Sequence, residues 1–246
     1  MPETLLENDT ESVSHATETQ PNRQRRLFAM MVVLSVSILH FIVASFYYLF
    51  RGTANIDLNQ LQQFRLLSAL VAESTSLLVL WYVISERGQG WSTIGWNPEW
   101  SDIWRGFVLL VAGFLATILP NAFFQTAYRT YSGHYMAPKS LRALLGFSIS
   151  AVSIAFVVLN PFFEELIVRA YTMSEVMNLG GSRTLAVLVS VSLQMSYHFY
   201  QGIVRSIGVA AIFVVFSLYF AKTRRIAPVI LAHFCLDALA RVKGVS

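Results

Sequence analysis

Residues 160–169, which read NPFFEELIVR, place two adjacent carboxylates and an arginine inside an almost entirely apolar part of the chain. A charged side chain at bilayer depth costs at least about 2.5 to 3.5 kcal/mol on insertion scales, so these charges need partners. Asn160 is a good helix N-cap and Pro161 suits the first helical position, which predicts a helix that begins here. The partners that the charges require then decide how the surrounding helices pack.

The two carboxylates of this stretch have different predicted roles. Glu165 and Arg169 are four residues apart with the acid first, the favourable order for an ion pair on one helix face. Glu164 points about 100° away from that pair and has no partner on its own helix. We therefore predict structural support from Glu165 and Arg169, and a functional carboxylate at Glu164 that meets groups from other helices.

Composition places the chain in a membrane. Of its 246 residues, 55% are hydrophobic and only 13% are charged, with a mean hydropathy of +0.54; a soluble domain carries about 25% charged residues. The net charge of +4 comes from basic residues scattered among the loops, which argues against nucleic acid as a partner. The lone cysteine, Cys235, lies in an apolar run and is expected to be a small buried hydrophobe.

The N-terminal part of the sequence predicts an orientation. Residues 1–22 are polar and acidic, and we expect a disordered cytoplasmic tail there. Three arginines at positions 23, 25 and 26 then precede an apolar run that is too long for a signal-peptide core. The expectation is an integral protein, of the cell membrane, with its N-terminus in the cytoplasm and a membrane domain over residues 23–246.

The fold class predicted is all-α, a polytopic membrane helical bundle of about eight transmembrane or partly crossing helices. Tryptophan-rich residues 85–103 predict an interfacial segment lying on the membrane surface. Strict alternation of eight spans puts the basic loop 222–225 on the non-cytoplasmic side, against the positive-inside tendency, so one helix is expected not to cross. The predicted segments are residues 27–50, 64–84, 104–127, 144–159, 160–178, 184–200, 205–221 and 226–241.

Two further polar clusters lie in the last third of the chain, within residues 160–241, which we interpret as the catalytic helices. His198 lies at the end of one apolar helix, and His233 and Asp237 are four apart on another. Because polar groups in lipid need partners, we expect these helices to gather their acids and imidazoles around one wet cavity.

The series Glu164-Glu165-x-x-x-Arg169, His198 and His233-x-x-x-Asp237 resembles the CPBP, or Abi, family of intramembrane proteases, which includes the CAAX-processing endopeptidases. That family carries Glu-Glu-x-x-x-Arg, then Phe-x-x-x-His, then His-x-x-x-Asn or Asp, each on its own helix. Order and spacing agree from Pro161 to about Leu239. One position departs from the pattern: Gln194 stands where the family usually has Phe, which is expected to alter the polarity of the cavity.

The resemblance implies a peptidase acting on a membrane-anchored peptide or protein. The resemblance also implies a role for each residue. Glu164, with help from His198, would activate a water, and His233 and Asp237 would stabilise the oxyanion. The ion pair of Glu165 and Arg169 would hold the helix in position. Prenylated CAAX tails are one substrate class of the family, although no residue in this sequence identifies a prenyl groove.

Metal dependence is left open by the sequence. Glu164, His198 and His233 could ligate zinc and leave a position for water. They lie on three helices, however, and no His-Glu-x-x-His is present, so the spacing supports zinc no better than a metal-free, glutamate-dependent reaction.

Two functions outside proteolysis also fit the composition. One is a membrane scaffold or regulator that retains the fold. The other is a proton-coupled transporter with Glu73, Glu164 and the histidines as a relay, although the chain lacks the inverted repeats expected of many transporters. For Glu73 and His40, each mid-span and outside any motif, we favour interhelical hydrogen bonding.

Overall fold

A computed structural model describes residues 19–51, 58–134 and 150–245, and over these ranges the protein is all-α, as predicted. Residues 1–18 of the predicted tail lie outside the described ranges, and the first helix begins at Thr19. In the described ranges the α-helices are α1 (Thr19–Ser37), α2 (Leu39–Arg51), α3 (Leu58–Ser85), α4 (Ser101–Ala116), α5 (Ile118–Ser132), α6 (Ala151–Phe163), α7 (Thr172–Asn178), α8 (Arg183–His198), α9 (Ile203–Thr223) and α10 (Ala227–Val245). Short 3₁₀ turns cover Trp91–Ile94 and Phe199–Gln201, and a π-helix covers Glu164–Tyr171.

The helix that carries the two glutamates does not begin at Asn160. α6, the π-helix and α7 form one 28-residue helix, Ala151–Asn178, and Pro161 lies buried inside it. The prediction of separate helices over 144–159 and 160–178 is therefore wrong. Proline removes one backbone donor and crowds the preceding turn, but the helix continues because the N–H of Glu164 still bonds to the carbonyl of Asn160. The wider π turns follow directly.

Fewer helices cross the bilayer by themselves than the predicted eight. Four are long and apolar enough: Arg65–Ser85, Ser101–Ser132, Ala151–Asn178 and Arg205–Thr223. A fifth candidate is the pair Arg23–Ser37 and Leu39–Phe50, bent by 47° at its break, and Ala227–Ala240 is a shorter apolar helix. With these apolar helices the chain is an integral membrane protein.

The continuous helix also removes the conflict over the basic loop. With residues 151–178 as one segment, the helices of the described ranges run through the bundle seven times rather than eight, so residues 222–225 return to the end at which α1 begins. Contacts agree with this: Arg26 and Arg87 both bind Glu175, at 3.3 and 2.9 Å, and Arg224 donates to Ser174 at 2.8 Å. The expectation that one helix fails to cross is not needed.

Gly106 lets α10 pack closely against α4. A Cβ on Gly106 would lie 2.9 Å from Leu231 Cδ2 and 3.1 Å from the Pro228 carbonyl oxygen, so a larger residue would push the two helices or the Leu231 side chain apart. Small residues commonly allow membrane helices to pack this closely. α10 also packs on α6, and α3 lies along α6. The packing of α10 therefore fixes the position of His233 and Asp237 relative to the glutamates.

The tryptophan-rich segment folds as a loop at one end of the bundle. It contains only the 3₁₀ turn Trp91–Ile94, followed by Gly95 with a φ of +88°. The carbonyl of Gly95 accepts from the Ile226 N–H at 3.1 Å, and the Trp96 ring packs on Phe162 at 5.5 Å. Of the three tryptophans in this loop, Trp91 and Trp96 are partly buried and Trp100 is almost fully exposed, at 89%. The loop closes one end of the bundle over α6.

Ion pairs attach the same loop to the start of α10. Arg225 contacts Asp102 at 2.9 Å and Glu99 at 2.7 Å, and it donates to the carbonyl of Asn97 at 3.0 Å. The hydrogen bond from Arg225 lowers the pKa of Glu99, and the hydrogen bonds to Asp102 and Glu99 raise the pKa of Arg225. These contacts favour the ionised forms of both groups.

Candidate active site

A cavity of about 120 Å³ lies between α2, α3, α6 and α8. That volume corresponds to about four waters at the ~30 Å³ that each occupies in the liquid. Its walls are mostly aromatic rings, with a few polar groups among them. The lining residues are Phe41, Ala69, Glu73, Phe156, Asn160, Phe163, Glu164, Tyr197, His198 and Tyr200.

Glu164 and His198 meet at this cavity although they are on different helices. Glu164 is 6% exposed and accepts a hydrogen bond from the Tyr197 hydroxyl at 3.0 Å. His198 ends α8, and its Nδ1 donates to the Gln194 carbonyl at 2.8 Å. With the proton on Nδ1, the Nε2 lone pair of His198 is the one available to a water or a ligand.

His233 and Asp237 are adjacent to the cavity but are not among the residues that line it. His233 Nδ1 donates to Glu165 Oε1 at 2.7 Å, and its Nε2 lies 3.7 Å from Asp237 Oδ1. Asn160, which does line the cavity, donates to Asp237 at 3.2 Å. The two predicted oxyanion residues therefore reach the cavity wall through Asn160.

Arg169 is the centre of the buried polar network behind the cavity. It is fully buried, forms the predicted ion pair with Glu165 and donates from Nε to Ser217 Oγ at 3.1 Å. It also donates to the side-chain carbonyl of Gln194 and lies over the Phe216 ring at 5.6 Å. Partners on every side offset the desolvation of a buried guanidinium.

Gln194, the departure from the family pattern, has a structural explanation. It is fully buried on α8, and its side chain points to Arg169 rather than to the cavity, since it is not a lining residue. The change to a polar residue therefore adds an acceptor for Arg169. Gln194 is not among the residues that line the cavity, so the expectation that it alters the polarity of the cavity stays a prediction.

Three assignments from the sequence change with these contacts. Asn160 does not cap a helix, and its amide binds Asp237 instead. Glu165 contacts His233 as well as Arg169, so it links the ion pair to a predicted catalytic imidazole. His40 is exposed, and it hydrogen-bonds with the backbone of Val36, four residues earlier across the break between α1 and α2.

Sequence reasoning missed Tyr197 and underestimated Glu73. Tyr197 immediately precedes a predicted catalytic histidine, but its partner Glu164 is 33 residues away and no local pattern reveals it. The sequence identifies Glu73 as an acid in the middle of a span and predicts that it hydrogen-bonds to another helix. One of its two carboxyl oxygens makes no such bond within the described part of the chain. Its Oε2 is buried and has no hydrogen-bond partner among the described residues.

The residues do not gather as a metal site. Within residues 19–51, 58–134 and 150–245, no three or more His, Cys, Asp or Glu side chains are placed to hold a metal ion. Among these described residues, Glu164, His198 and His233 are therefore not placed together as a zinc site.

A comparison with family models supports the resemblance found in the motifs. The model described as Rce1-like, type II CAAX prenyl endopeptidase, matches residues 146–239. No curated protein and no solved structure matches the chain. The matched region includes Glu164, His198 and His233, and it does not extend back to α1 through α5. Residues 146–239 are thus similar to the Rce1-like, type II CAAX prenyl endopeptidases.

Proposed function

We propose that the protein is a glutamate-dependent intramembrane endopeptidase that hydrolyses a peptide bond of a membrane-associated substrate in the cavity between α2, α3, α6 and α8. The observation that carries the proposal is that Glu164 and His198, from separate helices, line one small cavity. A general base must lie within hydrogen-bond reach of its water, and a cavity that holds only a few waters provides that proximity.

In the proposed reaction, Glu164 takes a proton from a water held between it and Nε2 of His198. The hydroxyl oxygen then bonds to the scissile carbonyl carbon, and the carbonyl electrons move to its oxygen. The hydrogen bond from Tyr197 orients Glu164 for this step. Donors aimed at the developing oxyanion stabilise it, and the amide of Asn160, held by Asp237, is the donor on the cavity wall.

His233 has a supporting role in this proposal. Its position between Glu165 and Asp237 makes it a link between the Arg169 network and the cavity wall. Its Nε2 faces Asp237 at 3.7 Å, and Asp237 in turn accepts from the Asn160 amide. We keep peptides bearing a prenylated C-terminal CAAX sequence as one substrate class to be tested, because the matching family model is described by that activity.

The test is cleavage of quenched-fluorescence peptides by the purified protein in detergent and in liposomes, with prenylated and unprenylated forms of each peptide. Glu164→Gln and His198→Ala are expected to abolish cleavage, whereas Glu86→Gln, an exposed acid at the end of α3, is expected to leave it unchanged. Full activity in Glu164→Gln would contradict the proposal. No cleavage of any peptide by the wild type would instead favour a membrane scaffold.

Metal dependence is tested in the same assay. The proposed reaction predicts that activity survives dialysis against a strong chelator and that Glu164→Gln is not rescued by added zinc. Loss of activity on chelation, with recovery on adding zinc, would show that a metal takes part.

A further inference from the structure

Glu73 is the one acid on the cavity wall that the proposed reaction does not use. It lies midway along α3, is 1% exposed and shares the wall with Glu164. α3 packs along α6, so this placement follows from the helix packing rather than from a side-chain rotamer alone. Glu73 also lies well outside residues 146–239, so the family match does not assign it a role.

The charges around Glu73 come from several helices. Glu164 on the π-helix and Asp237 on α10 are the acids that act on it, and His233 on α10 is the opposing cation when protonated. His198 lies on the same cavity wall. Since Arg169 is engaged with Glu165 and Gln194, no described arginine binds the Glu73 carboxyl group.

When two carboxyl groups line one small cavity, the favoured state has one of them protonated and the other ionised. Two negative charges facing each other across a few waters repel strongly, so the pair is most stable when it holds a single proton. The carboxylate of Glu164 accepts a hydrogen bond from the Tyr197 hydroxyl. The carboxyl group of Glu73 has an oxygen without any such donor and is the better place for the proton.

Amide hydrolysis needs both a base and an acid. The base takes a proton from water in the first step, but the carbon–nitrogen bond breaks readily only when the leaving nitrogen gains a proton. The arrangement of one ionised and one protonated carboxyl group across a water-filled space can meet both needs.

We propose that Glu73 is the general acid of the site and donates its proton to the leaving amine nitrogen. This inference rests on the proposed function. As the tetrahedral intermediate collapses, the electron pair on its oxygen re-forms the carbonyl, the carbon–nitrogen bond breaks and the nitrogen takes the proton from Glu73. The proton that Glu164 took from water returns to Glu73 through the cavity waters, so the net reaction consumes one water and yields one carboxylic acid and one amine.

The experiment compares two substrates with the same acyl part, one an amide with an alkylamine leaving group and one an ester with a nitrophenolate leaving group. Nitrophenolate departs without being protonated, so a general acid accelerates only the amide reaction. Glu73→Gln keeps the shape of the side chain but has no proton to give. We expect it to lower kcat on the amide by about 10²- to 10⁴-fold, with KM nearly unchanged, and to lower kcat on the ester by less than about threefold.

Controls separate this role from a structural one. Glu73→Asp, which retains an acid, is expected to recover part of the amide activity, and Glu86→Gln is the matched substitution at an exposed site near the end of the same helix. Glu164→Gln is expected to abolish cleavage of both substrates. Thermal melting in detergent checks that each variant is folded.

The outcomes separate the two proposals. Wild-type levels of amide cleavage in Glu73→Gln, or equal losses on amide and ester, would overturn the role of Glu73 and leave the proposed peptidase intact. If the wild type cleaves neither substrate, or if Glu164→Gln retains activity, the proposed function itself fails and this inference with it.

Discussion

The hydroxyl of Tyr197 is the nearest identified partner of Glu164, and its contribution to the reaction can be measured. Tyr197→Phe removes a single hydrogen bond to the carboxylate while retaining the ring. A hydrogen bond to a charged group contributes about 1.5 to 3 kcal/mol, so we expect kcat for peptide cleavage to fall about 10- to 100-fold. Tyr82→Phe, at an exposed position on α3, is the control. Unchanged kcat would mean that Tyr197 does not orient the base.

Gln194 provides a test of the Arg169 network at single-residue scale. Gln194→Leu removes the carbonyl acceptor of a buried guanidinium at similar volume, and we expect a loss of about 1.5 to 3 kcal/mol in the free energy of unfolding. Thermal melting in detergent measures it. Ser192→Leu, two residues earlier and exposed, should melt like the wild type. Equal melting of both variants would mean that Arg169 does not need this partner.

What the sequence predicts at this scale is limited by distance along the chain. The ion pair of Glu165 and Arg169 follows from an i, i+4 spacing, which is a local property of the helix. The contacts of Glu164 with Tyr197 and of Glu165 with His233 join residues 33 and 68 positions apart. Polarity in an apolar setting shows that such groups need partners, but only the packed structure shows which partners they have.

At the scale of elements, Gly95 fixes the tryptophan-rich loop to the turn before α10. A Cβ on Gly95 would lie 2.3 Å from the Arg224 carbonyl oxygen, and the φ of +88° is unfavourable for other residues. We expect Gly95→Ala to lower the melting temperature clearly and to reduce the yield of folded protein. Gly90→Ala is the matched control, because a Cβ at Gly90 meets no atom within 4 Å. Similar melting of the two variants would contradict the close packing described.

The ion pairs of the same loop predict a pH dependence. The pKa of Glu99 is lowered in the folded protein by its hydrogen bond from Arg225, so its stabilising contribution is present above the unfolded-state pKa of about 4.3 and is lost as pH falls through the lower folded value. The wild type should therefore melt above Glu99→Gln at pH 7 and pH 5, and the difference should shrink as the pH falls below about 4.3.

Salt provides the control for this prediction. Glu99 is exposed, so about 1 M NaCl should shrink the difference at pH 7. A difference that grows on acidification would assign the effect to another group.

The region of Asn160 and Pro161 shows why local sequence signals could not predict where each helix begins and ends. Asn160 and Pro161 have the residue types of a helix start, but the helix passes through them and buries the proline. A proline lacks one donor, and a membrane helix can tolerate that loss when neighbouring turns rearrange. No residue pattern in Glu164–Tyr171 predicts π geometry, which arises from the packing of the whole helix.

At the scale of the whole molecule, the seven passages of the chain predict which loops share a side of the membrane. In a Cys235→Ser background, Ser182→Cys and Thr223→Cys should react with a membrane-impermeant maleimide from the same side. Tyr131→Cys, at the far end of α5, should react from the opposite side. With the N-terminus in the cytoplasm, as the sequence predicts, intact cells should label only position 131.

An eight-segment topology gives a different labelling pattern. It places positions 131, 182 and 223 all on one side of the membrane, so labelling of all three positions from the same side would contradict the continuous helix. The membrane-embedded, all-α architecture could be predicted from composition and from runs of apolar residues. The number of passages could not, because it depended on one proline.

The π-helix at Glu164–Tyr171 has a consequence for the whole length of the segment Ala151–Asn178. A wider stretch winds through fewer degrees for the same number of residues, so it sets the angular phase between Glu164 in the cavity and Glu175 at the membrane edge. Shortening this stretch by one residue would restore ordinary winding and keep nearly the same phase, whereas one residue added to or removed from the α-helical turns on either side would rotate one anchor by about 100°. A single deletion should therefore be tolerated better within Glu164–Tyr171 than in the rest of the segment.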